Sequence, residues 1–231
     1  MRILGLTKTT LLDYPGRVAA AVFVGSCNFR CPFCHNGNLV LHSESFPEIT
    51  QEELFSFLEK RRGILSGVCI TGGEPTLYDD LPELIQKIRS LGYAVKLDTN
   101  GYRPQVLSSL LERNLLNYVA MDIKSDREHY ADTAGLENLD FSRIEESVNI
   151  LKTCSIPYEF RTTVVKGLHT SCIFENIGKW LMGDSHYFLQ SYQESDAVIC
   201  KRFSSFSKEE LEQFCSLVKC RVPNTFLRGV E

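Results

Sequence analysis

Three cysteines lie close together in the segment 25–36, where Cys27, Cys31 and Cys34 are separated by spacings of four and three residues. One loop with this spacing can turn all three thiolates inward, and thiolates are the ligands of iron–sulfur clusters. The next cysteine is Cys69, which is too distant in the chain to be part of the same loop pattern. A [4Fe-4S] cluster held here would keep one iron open for a substrate.

Two other interpretations of these cysteines remain open. A zinc ion could take three thiolates and be completed by His35 or His42, since zinc prefers four sulfur and nitrogen ligands. Alternatively, the loop could be structural and carry three free thiols, which would leave reactive groups exposed on one turn.

Two further segments carry groups suited to binding a ligand. The segment 71–75 contains Gly72 and Gly73, which permit close approach of a backbone, followed by Glu74, which can accept a hydrogen bond from an amine. By itself this sequence also fits an ordinary tight turn. The segment 98–101 reads Asp-Thr-Asn-Gly, and its side-chain oxygens suit hydroxyl groups or a small hard cation.

Polar residues also occur within or directly after predicted strands. Asp122 and Lys124 are two positions apart, so strand alternation places them on the same side of the chain, where an ordinary ion pair is one explanation. Arg161 and Gln190 lie in apolar surroundings and need partners, either neighbouring side chains or a ligand.

The elements that must position these residues follow from the alternation of short apolar runs with amphipathic stretches. The runs predicted as strands are Val18–Val24, Gly67–Ile70, Ala94–Leu97, Tyr118–Met121, Tyr158–Val164 and Tyr187–Gln190. Helix starts are indicated by the capping boxes Thr50 with Glu53, Ser142 with Glu145, and Ser207 with Glu210.

Repeating strand–helix units predict an α/β fold with a parallel sheet and right-handed crossovers. Six such units are too few for a closed eightfold barrel, so we predict a partial (β/α)6 barrel with outer helices. A doubly wound sheet is the alternative. In either case, the residues that follow the strands carry the chemistry.

Composition places the chain among ordinary globular proteins. It has 231 residues, with 25 Lys and Arg against 29 Asp and Glu, and the net charge of -4 provides no overall attraction for nucleic acid or an anionic membrane. No secretory signal or membrane span is recognised, so we expect a cytoplasmic protein whose cysteines are reduced. We expect one domain, residues 1–231, with a cluster loop (25–36), a motif-rich core (17–191) and a C-terminal helix and tail (205–231).

The combination of motifs resembles the radical S-adenosylmethionine (SAM) superfamily. The cysteine pattern at 27–34 and the Gly-Gly-Glu-Pro sequence at 72–75 match in order and spacing. The segments 8–16, 34–36, 98–101 and 121–124 are similar to those of proteins that activate glycyl radical enzymes. The most similar type is the anaerobic ribonucleoside-triphosphate reductase activating protein.

The resemblance implies a role for each motif. Cys27, Cys31 and Cys34 would ligate three irons of one [4Fe-4S] cluster, and the fourth iron would bind the amino and carboxylate groups of S-adenosylmethionine. The other positions implied to bind the cofactor or the incoming peptide are Phe33, His35, Gly72, Gly73, Glu74, Asp98, Thr99, Asn100, Asp122, Lys124 and Arg161.

The resemblance also implies a monovalent cation beside the methionine carboxylate. Its ligands would be Asp98, Thr99, Asp122 and the carbonyl of Ala120. The chain departs from many relatives at Gly37, where they carry proline, so the exit of the cluster loop is expected to be looser.

The implied activity is reductive cleavage of S-adenosylmethionine to a 5′-deoxyadenosyl radical, which would take hydrogen from a glycine of a partner glycyl radical enzyme. The implied partners are that enzyme, expected to be anaerobic ribonucleoside-triphosphate reductase, and a flavodoxin- or ferredoxin-type electron donor. One alternative is a radical SAM enzyme that acts on a small molecule, such as a deazapurine synthase. A more distant alternative is a non-catalytic metal-binding or electron-transfer module.

Overall fold

A single eight-stranded sheet forms the centre of the computed structural model, which describes residues 1–230, and its strand order follows the chain from β1 to β8. The strands are β1 (Ile3–Thr10), β2 (Ala19–Val24), β3 (Gly67–Gly72), β4 (Ala94–Thr99), β5 (Tyr118–Asp122), β6 (Tyr158–Val164), β7 (His186–Ser191) and β8 (Thr225–Arg228). β1 is antiparallel to β2, and each later pair of neighbours is parallel.

The helices lie mainly in the connections between these strands. Within residues 1–230 the α-helices are α1 (Gly37–Leu41), α2 (Gln51–Lys60), α3 (Leu81–Ser90), α4 (Pro104–Glu112), α5 (Tyr130–Ala134), α6 (Phe141–Thr153), α7 (Ser171–Leu181) and α8 (Lys208–Lys219). Short 3₁₀ turns occur at Ser43–Ser45 and Pro75–Leu77. In the longer α-helices, buried residues recur every three or four positions, as expected for helices packed against a sheet. On α3, for example, the buried residues are Leu81, Leu84, Ile85 and Ile88.

The strand order confirms the predicted α/β fold. A doubly wound sheet would reverse its order partway, whereas here every strand pairs with the one before it in the chain. The six predicted strands are β2 to β7, which together with β8 form the parallel part of a partial barrel. β1 and β8 were not predicted, and in the described residues they remain unpaired with each other, so the sheet is open.

Several strands extend further than predicted at their carboxyl ends. β4 ends at Thr99 instead of Leu97, and β5 ends at Asp122 instead of Met121. Asp98 and Asp122 are therefore held by the sheet ladder and not by loops. This matters for the site because strand residues are positioned more rigidly than loop residues.

Helix starts were predicted correctly in two of the three capping boxes. Thr50 and Ser207 each accept a hydrogen bond from the backbone of the glutamate three residues later, and that glutamate bonds back to the cap. The box at Ser142 was wrong. Asp140 caps α6 and its side chain accepts from the Ser142 backbone, so the helix begins one residue before Ser142.

All nine cysteines are free thiols in this structure. Cys69 and Cys215 are buried, whereas Cys172 and Cys220 are exposed. None of the described helices has the length and apolar character needed to span a bilayer.

Candidate active site

One cavity of about 360 Å³ lies at the carboxyl ends of the parallel strands and brings together the residues predicted to bind the cluster or the cofactor, whereas Ala120, whose carbonyl was implied as a cation ligand, does not line it. Its lining includes Cys27, Cys31, Phe33, Cys34, His35, Gly72, Gly73, Glu74, Asp98, Thr99, Asn100, Asp122, Lys124 and Arg161. These residues come from segments that are far apart in the chain. The sheet order explains their convergence, because β2 to β6 are consecutive neighbours whose ends meet at one edge.

The cluster loop is shaped by short-range backbone hydrogen bonds. The Cys34 N–H donates to the Cys31 carbonyl at 3.0 Å, and the Gly37 N–H donates to the Cys34 carbonyl at 3.2 Å. The Phe29 N–H points at Cys27 Sγ, at 3.3 Å, which is an arrangement that favours a thiolate. The loop therefore presents three sulfurs to the same cavity with a backbone donor already aimed at one of them.

Burial keeps these thiols protonated when no metal is bound. It raises the pKa of Cys27 to about 12 and that of Cys31 to about 11, while Lys124 acts in the opposite direction. The pKa of Cys34 is raised for the same reason. Binding iron would release these protons, because the thiolate is the ligand.

The two histidines proposed to complete a zinc site are engaged elsewhere. His35 Nε2 lies 2.6 Å from the Gln193 carbonyl, and its ring stacks on Tyr192 with centroids 5.3 Å apart. His42 is exposed and faces Glu44. Within residues 1–230, no three His, Cys, Asp or Glu side chains converge on the position of a single metal ion. Neither histidine is therefore placed to complete a zinc site with the cysteines in this structure.

The segment 192–203, which follows β7, covers the cluster loop. This contact was not predicted from the sequence. The Cys200 N–H donates to the Pro32 carbonyl at 2.8 Å. A Cβ atom at Gly37 would lie 2.5 Å from the Ala197 carbonyl oxygen. Glycine at this position thus permits close packing of the loop exit against the segment 192–203, which replaces the expectation of a looser exit.

The Gly-Gly-Glu turn is packed directly against the backbone of the cluster loop. The Glu74 N–H donates to the Ser26 carbonyl at 2.9 Å, and the Gly73 N–H donates to the Val24 carbonyl at 2.8 Å. Asn36, at the end of the loop, donates its side-chain amide to the Gly72 carbonyl at 2.8 Å. Gly72 has a φ of 110°, which side chains other than glycine rarely adopt.

Glu74 joins this turn to the end of β4. Its carboxylate is buried, and Oε1 accepts from the Thr76 backbone at 3.1 Å, the Thr76 hydroxyl at 2.6 Å and the Thr99 hydroxyl at 2.8 Å. Among residues 1–230, Oε2 accepts only from the Asn100 N–H, at 2.7 Å. Burial raises the pKa of Glu74 in spite of these donors. Oε2 is the oxygen that retains capacity for another hydrogen bond.

Arg161, on β6, bridges two aspartates near the carboxyl ends of β4 and β5, which are Asp98 and Asp122. Its Nη1 donates to Asp98 Oδ2 at 3.2 Å, and its Nε donates to Asp122 Oδ1 at 2.9 Å. Lys124 donates to Asp122 Oδ2 at 3.1 Å, which confirms that Asp122 and Lys124 share one side of the chain. Lys96 donates to Asp98 Oδ1. We refer to these five side chains as the charged cluster.

The charged cluster keeps both carboxylates ionised. Burial alone would raise the pKa of Asp122, but Arg161 and Lys124 outweigh it and lower that pKa to about 2. The pKa of Asp98 is lowered against its burial by Arg161 and Lys96. These groups are therefore fixed charges near neutral pH.

Lys96 was the main site residue that sequence reasoning missed. It lies inside β4, which was interpreted only as an apolar run, and it is 1% exposed. The available signal was its position two residues before Asp98, which places both side chains on one face of the strand. Asn28 was also missed, although it accepts a hydrogen bond from Asn100 at 2.8 Å and so ties the cluster loop to β4.

The residues present fit an iron–sulfur cluster and S-adenosylmethionine. Three thiols from one loop face the same cavity as a buried carboxylate with spare acceptor capacity and a group of fixed charges. In a [4Fe-4S] cluster each thiolate binds a different iron, so the three sulfurs need not converge on one point. Lys124 Nζ lies 6.0 Å from the centroid of the Phe33 ring and places positive charge beside the loop.

Comparisons with known proteins agree with this arrangement. Over 236 aligned residues, the chain is 28% identical to a Methanocaldococcus jannaschii protein that carries the provisional name of a glycyl-radical enzyme activating enzyme, covering 98% of this chain and 95% of that protein. It is 31% identical over 156 residues to a Thermococcus kodakarensis protein provisionally named a GTP 3′,8-cyclase, covering 65% of this chain but 48% of that protein. The chain thus spans about half the length of this cyclase.

The fold is shared with a solved structure, and a family model covers the site. The crystal structure of Streptococcus suis SuiB bound to S-adenosylmethionine superimposes with a TM-score of 0.67 at 13% identity, covering 90% of this chain and 52% of SuiB. Residues 22–175, which include the cluster loop and every predicted site residue, match the model of the radical SAM superfamily. The chain therefore belongs to the radical SAM superfamily.

Proposed function

We propose that this chain is an activating enzyme that cleaves S-adenosylmethionine and generates a glycyl radical on a partner enzyme, anaerobic ribonucleoside-triphosphate reductase. The observation that carries the proposal is the match to a provisionally named activating enzyme along nearly the whole of both chains. A match over the entire length supports a shared function better than a match to one part of a larger protein. We also propose that residues 1–231 act as one domain.

In this proposal Cys27, Cys31 and Cys34 hold one [4Fe-4S] cluster. When bound and reduced, the cluster supplies the electron that splits S-adenosylmethionine into methionine and a 5′-deoxyadenosyl radical. The protein holds the three thiolates in one loop and keeps them in a buried cavity, which limits access of water to the reacting groups.

The turn at 72–74 would bind the methionine amine. Glu74 Oε2 has one internal partner, so it can accept a second hydrogen bond from a cationic amine. An ammonium group would also compensate the buried negative charge of Glu74, whose pKa is raised by burial. Phe33 and His35 would flank the adenine.

The charged cluster would face the carboxylate of the methionine moiety. Lys124 and Arg161 carry donors that already pair with Asp122 and Asp98, and both side chains line the cavity. Their fixed positive charges would attract a carboxylate or the backbone oxygens of an incoming peptide. The electron is proposed to come from a flavodoxin- or ferredoxin-type donor.

A second candidate is a radical SAM enzyme acting on a small molecule such as a purine nucleotide. It is favoured by the similarity to a provisionally named GTP 3′,8-cyclase, which extends over 65% of this chain. That similarity covers 48% of the cyclase, so it supports a shared radical core more directly than a shared substrate.

The test is anaerobic reconstitution with iron and sulfide, reduction, and detection of 5′-deoxyadenosine by chromatography. The reductase and its variant with the radical glycine changed to alanine are added in parallel, and electron paramagnetic resonance detects the glycyl radical. A radical on the normal reductase alone supports the proposal. Productive turnover with GTP and no radical on the reductase would support the second candidate instead.

A further inference from the structure

The side-chain oxygens implied to ligate a monovalent cation already have partners in this structure. Asp98 Oδ1 accepts from Lys96 and Oδ2 from Arg161, while Asp122 Oδ1 accepts from Arg161 and Oδ2 from Lys124. The hydroxyl of Thr99 donates to Glu74 and accepts from a backbone N–H. A metal cation would have to displace a donor from each carboxylate oxygen that it binds.

Lys96 is enclosed at this position and paired with Asp98. Its side chain is 2% exposed, and within the described part of the chain its ammonium group has one charged partner, Asp98. Its other close polar neighbour is Cys69 Sγ, at 3.8 Å. Because a buried ammonium group is tolerated only when it is paired, Lys96 and Asp98 require each other.

Positive charge already exceeds negative charge in the charged cluster. Lys96, Lys124 and Arg161 face the two carboxylates of Asp98 and Asp122, and the side chain of Arg161 is only 13% exposed. A further cation would enter a group that is not short of positive charge. The residues therefore do not fit the monovalent cation that the family resemblance implies.

We propose that Lys96 and Arg161 are built-in cations that take the place of a monovalent metal ion, so that the chain binds S-adenosylmethionine without an alkali-metal ion. The inference rests on the cofactor site of the proposed function and not on the identity of the partner. Lys96 and Arg161 act here as positioning residues, which hold the carboxylates and neutralise them.

The first experiment uses the unaltered, cluster-loaded chain. Its dissociation constant for S-adenosylmethionine is measured by equilibrium dialysis in potassium, sodium or tetramethylammonium chloride at equal ionic strength. Tetramethylammonium is too large to replace an alkali ion between two carboxylates. We expect the three constants to agree within about twofold, because the cations at the site belong to the protein. An affinity that drops by more than about fivefold in tetramethylammonium would overturn the proposal.

A second measurement does not depend on cofactor binding. Metal-free protein is dialysed against radioactive rubidium ion, which substitutes for potassium. We expect no stoichiometric uptake by the unaltered chain, and stoichiometric uptake would overturn the proposal. If S-adenosylmethionine fails to bind in every buffer, the proposed function fails, while rubidium uptake still decides this inference.

The variant Lys96→Met removes the ammonium group and should open a cation site beside Asp98. In tetramethylammonium its affinity for S-adenosylmethionine should fall by at least about tenfold, with recovery in potassium. Lys87→Met, at an exposed lysine on α3, is the matched control and should behave like the unaltered chain. If Lys96→Met loses affinity for S-adenosylmethionine and potassium does not restore it, the proposal that the Lys96 ammonium group takes the place of an alkali-metal ion is contradicted. If this variant does not fold, the two measurements on the unaltered chain decide the inference by themselves.

Discussion

Substituting Gly73 by alanine should separate the cluster loop from the Gly-Gly-Glu turn. A Cβ atom at this position would lie 1.8 Å from the Ser26 carbonyl oxygen and 3.0 Å from that of Gly25. Atoms of this kind do not approach closer than about 3 Å, so the two backbone segments must move apart by roughly 1.2 Å. The obstacle is backbone on both sides, and a rotamer change cannot relieve it.

The magnitude follows from the hydrogen bonds that this movement breaks. The bond from Glu74 N to Ser26 O (2.9 Å) joins the turn to the cluster loop, and the bond from Gly73 N to Val24 O (2.8 Å) joins it to the end of β2, directly before the loop. Each buried donor left without a partner costs about 1–3 kcal/mol, so the free energy of unfolding should decrease by roughly 2–6 kcal/mol. For a chain of this length that corresponds to a decrease in Tm of at least about 4 °C.

The assay is urea unfolding of the metal-free protein, followed by iron and sulfide analysis after reconstitution. Gly178→Ala on α7 is the matched control, because its Cβ would meet Val218 Cα at an ordinary 3.6 Å. Alanine there should leave stability unchanged or raise it by about 0.5–1 kcal/mol. A Gly73→Ala protein within about 0.5 kcal/mol of the unaltered chain and with full iron content would refute the argument.

Three further predictions concern single side chains. Cys31→Ala should abolish cluster assembly, as measured by iron and sulfide content, because three thiolates are the minimum anchor; full iron content would contradict the assignment. Glu74→Gln replaces a carboxylate oxygen by an amide NH₂ group, which would face existing donors such as the Asn100 N–H. It should weaken S-adenosylmethionine binding by at least about tenfold in equilibrium dialysis. Unchanged affinity would exclude Glu74 from the site. Burial lowers the pKa of His169 from 6.5, and its neutral ring accepts from the Val165 N–H. As the pH falls, His169 is therefore protonated in the unfolded chain before it is protonated in the folded chain. The free energy of unfolding should decrease below about pH 6.5, by at most about 1.4 kcal/mol per pH unit. His169→Gln should flatten this pH dependence in urea titrations.

The convergence of the candidate site residues on one cavity was largely predictable, because these residues carry strong local signals. A triplet of cysteines and a Gly-Gly-Glu-Pro turn are short motifs whose spacing limits the chemistry. Lys96 shows where such reasoning stops, since a lysine in a strand is usually interpreted as exposed. Only the alignment of β4 with its neighbours shows that this lysine is enclosed and faces Asp98.

The fold was predictable where strands are buried on both faces. β2, β3 and β5 are nearly continuous apolar runs, and β4, β6 and β7 alternate apolar with polar residues. By contrast, β1 contains three consecutive exposed residues, Thr7 to Thr9, and β8 has only four residues. Edge strands bury less surface, so their apolar signal is weak. The start of α6 was misplaced because Asp140 and Ser142 are both good cap residues, and sequence alone does not decide between two candidates that are two positions apart.

The order of strands in the sheet has a consequence for synthesis of the protein. Since each strand pairs with the one made just before it, the sheet can grow from one side while the chain is being translated. At about 5–20 residues per second, the ribosome reaches Gln190, the lining residue on β7, roughly 8–31 s after Cys34. During that interval the three thiols exist without the strand that completes their cavity. We therefore expect iron to be inserted into the finished chain, after release from the ribosome.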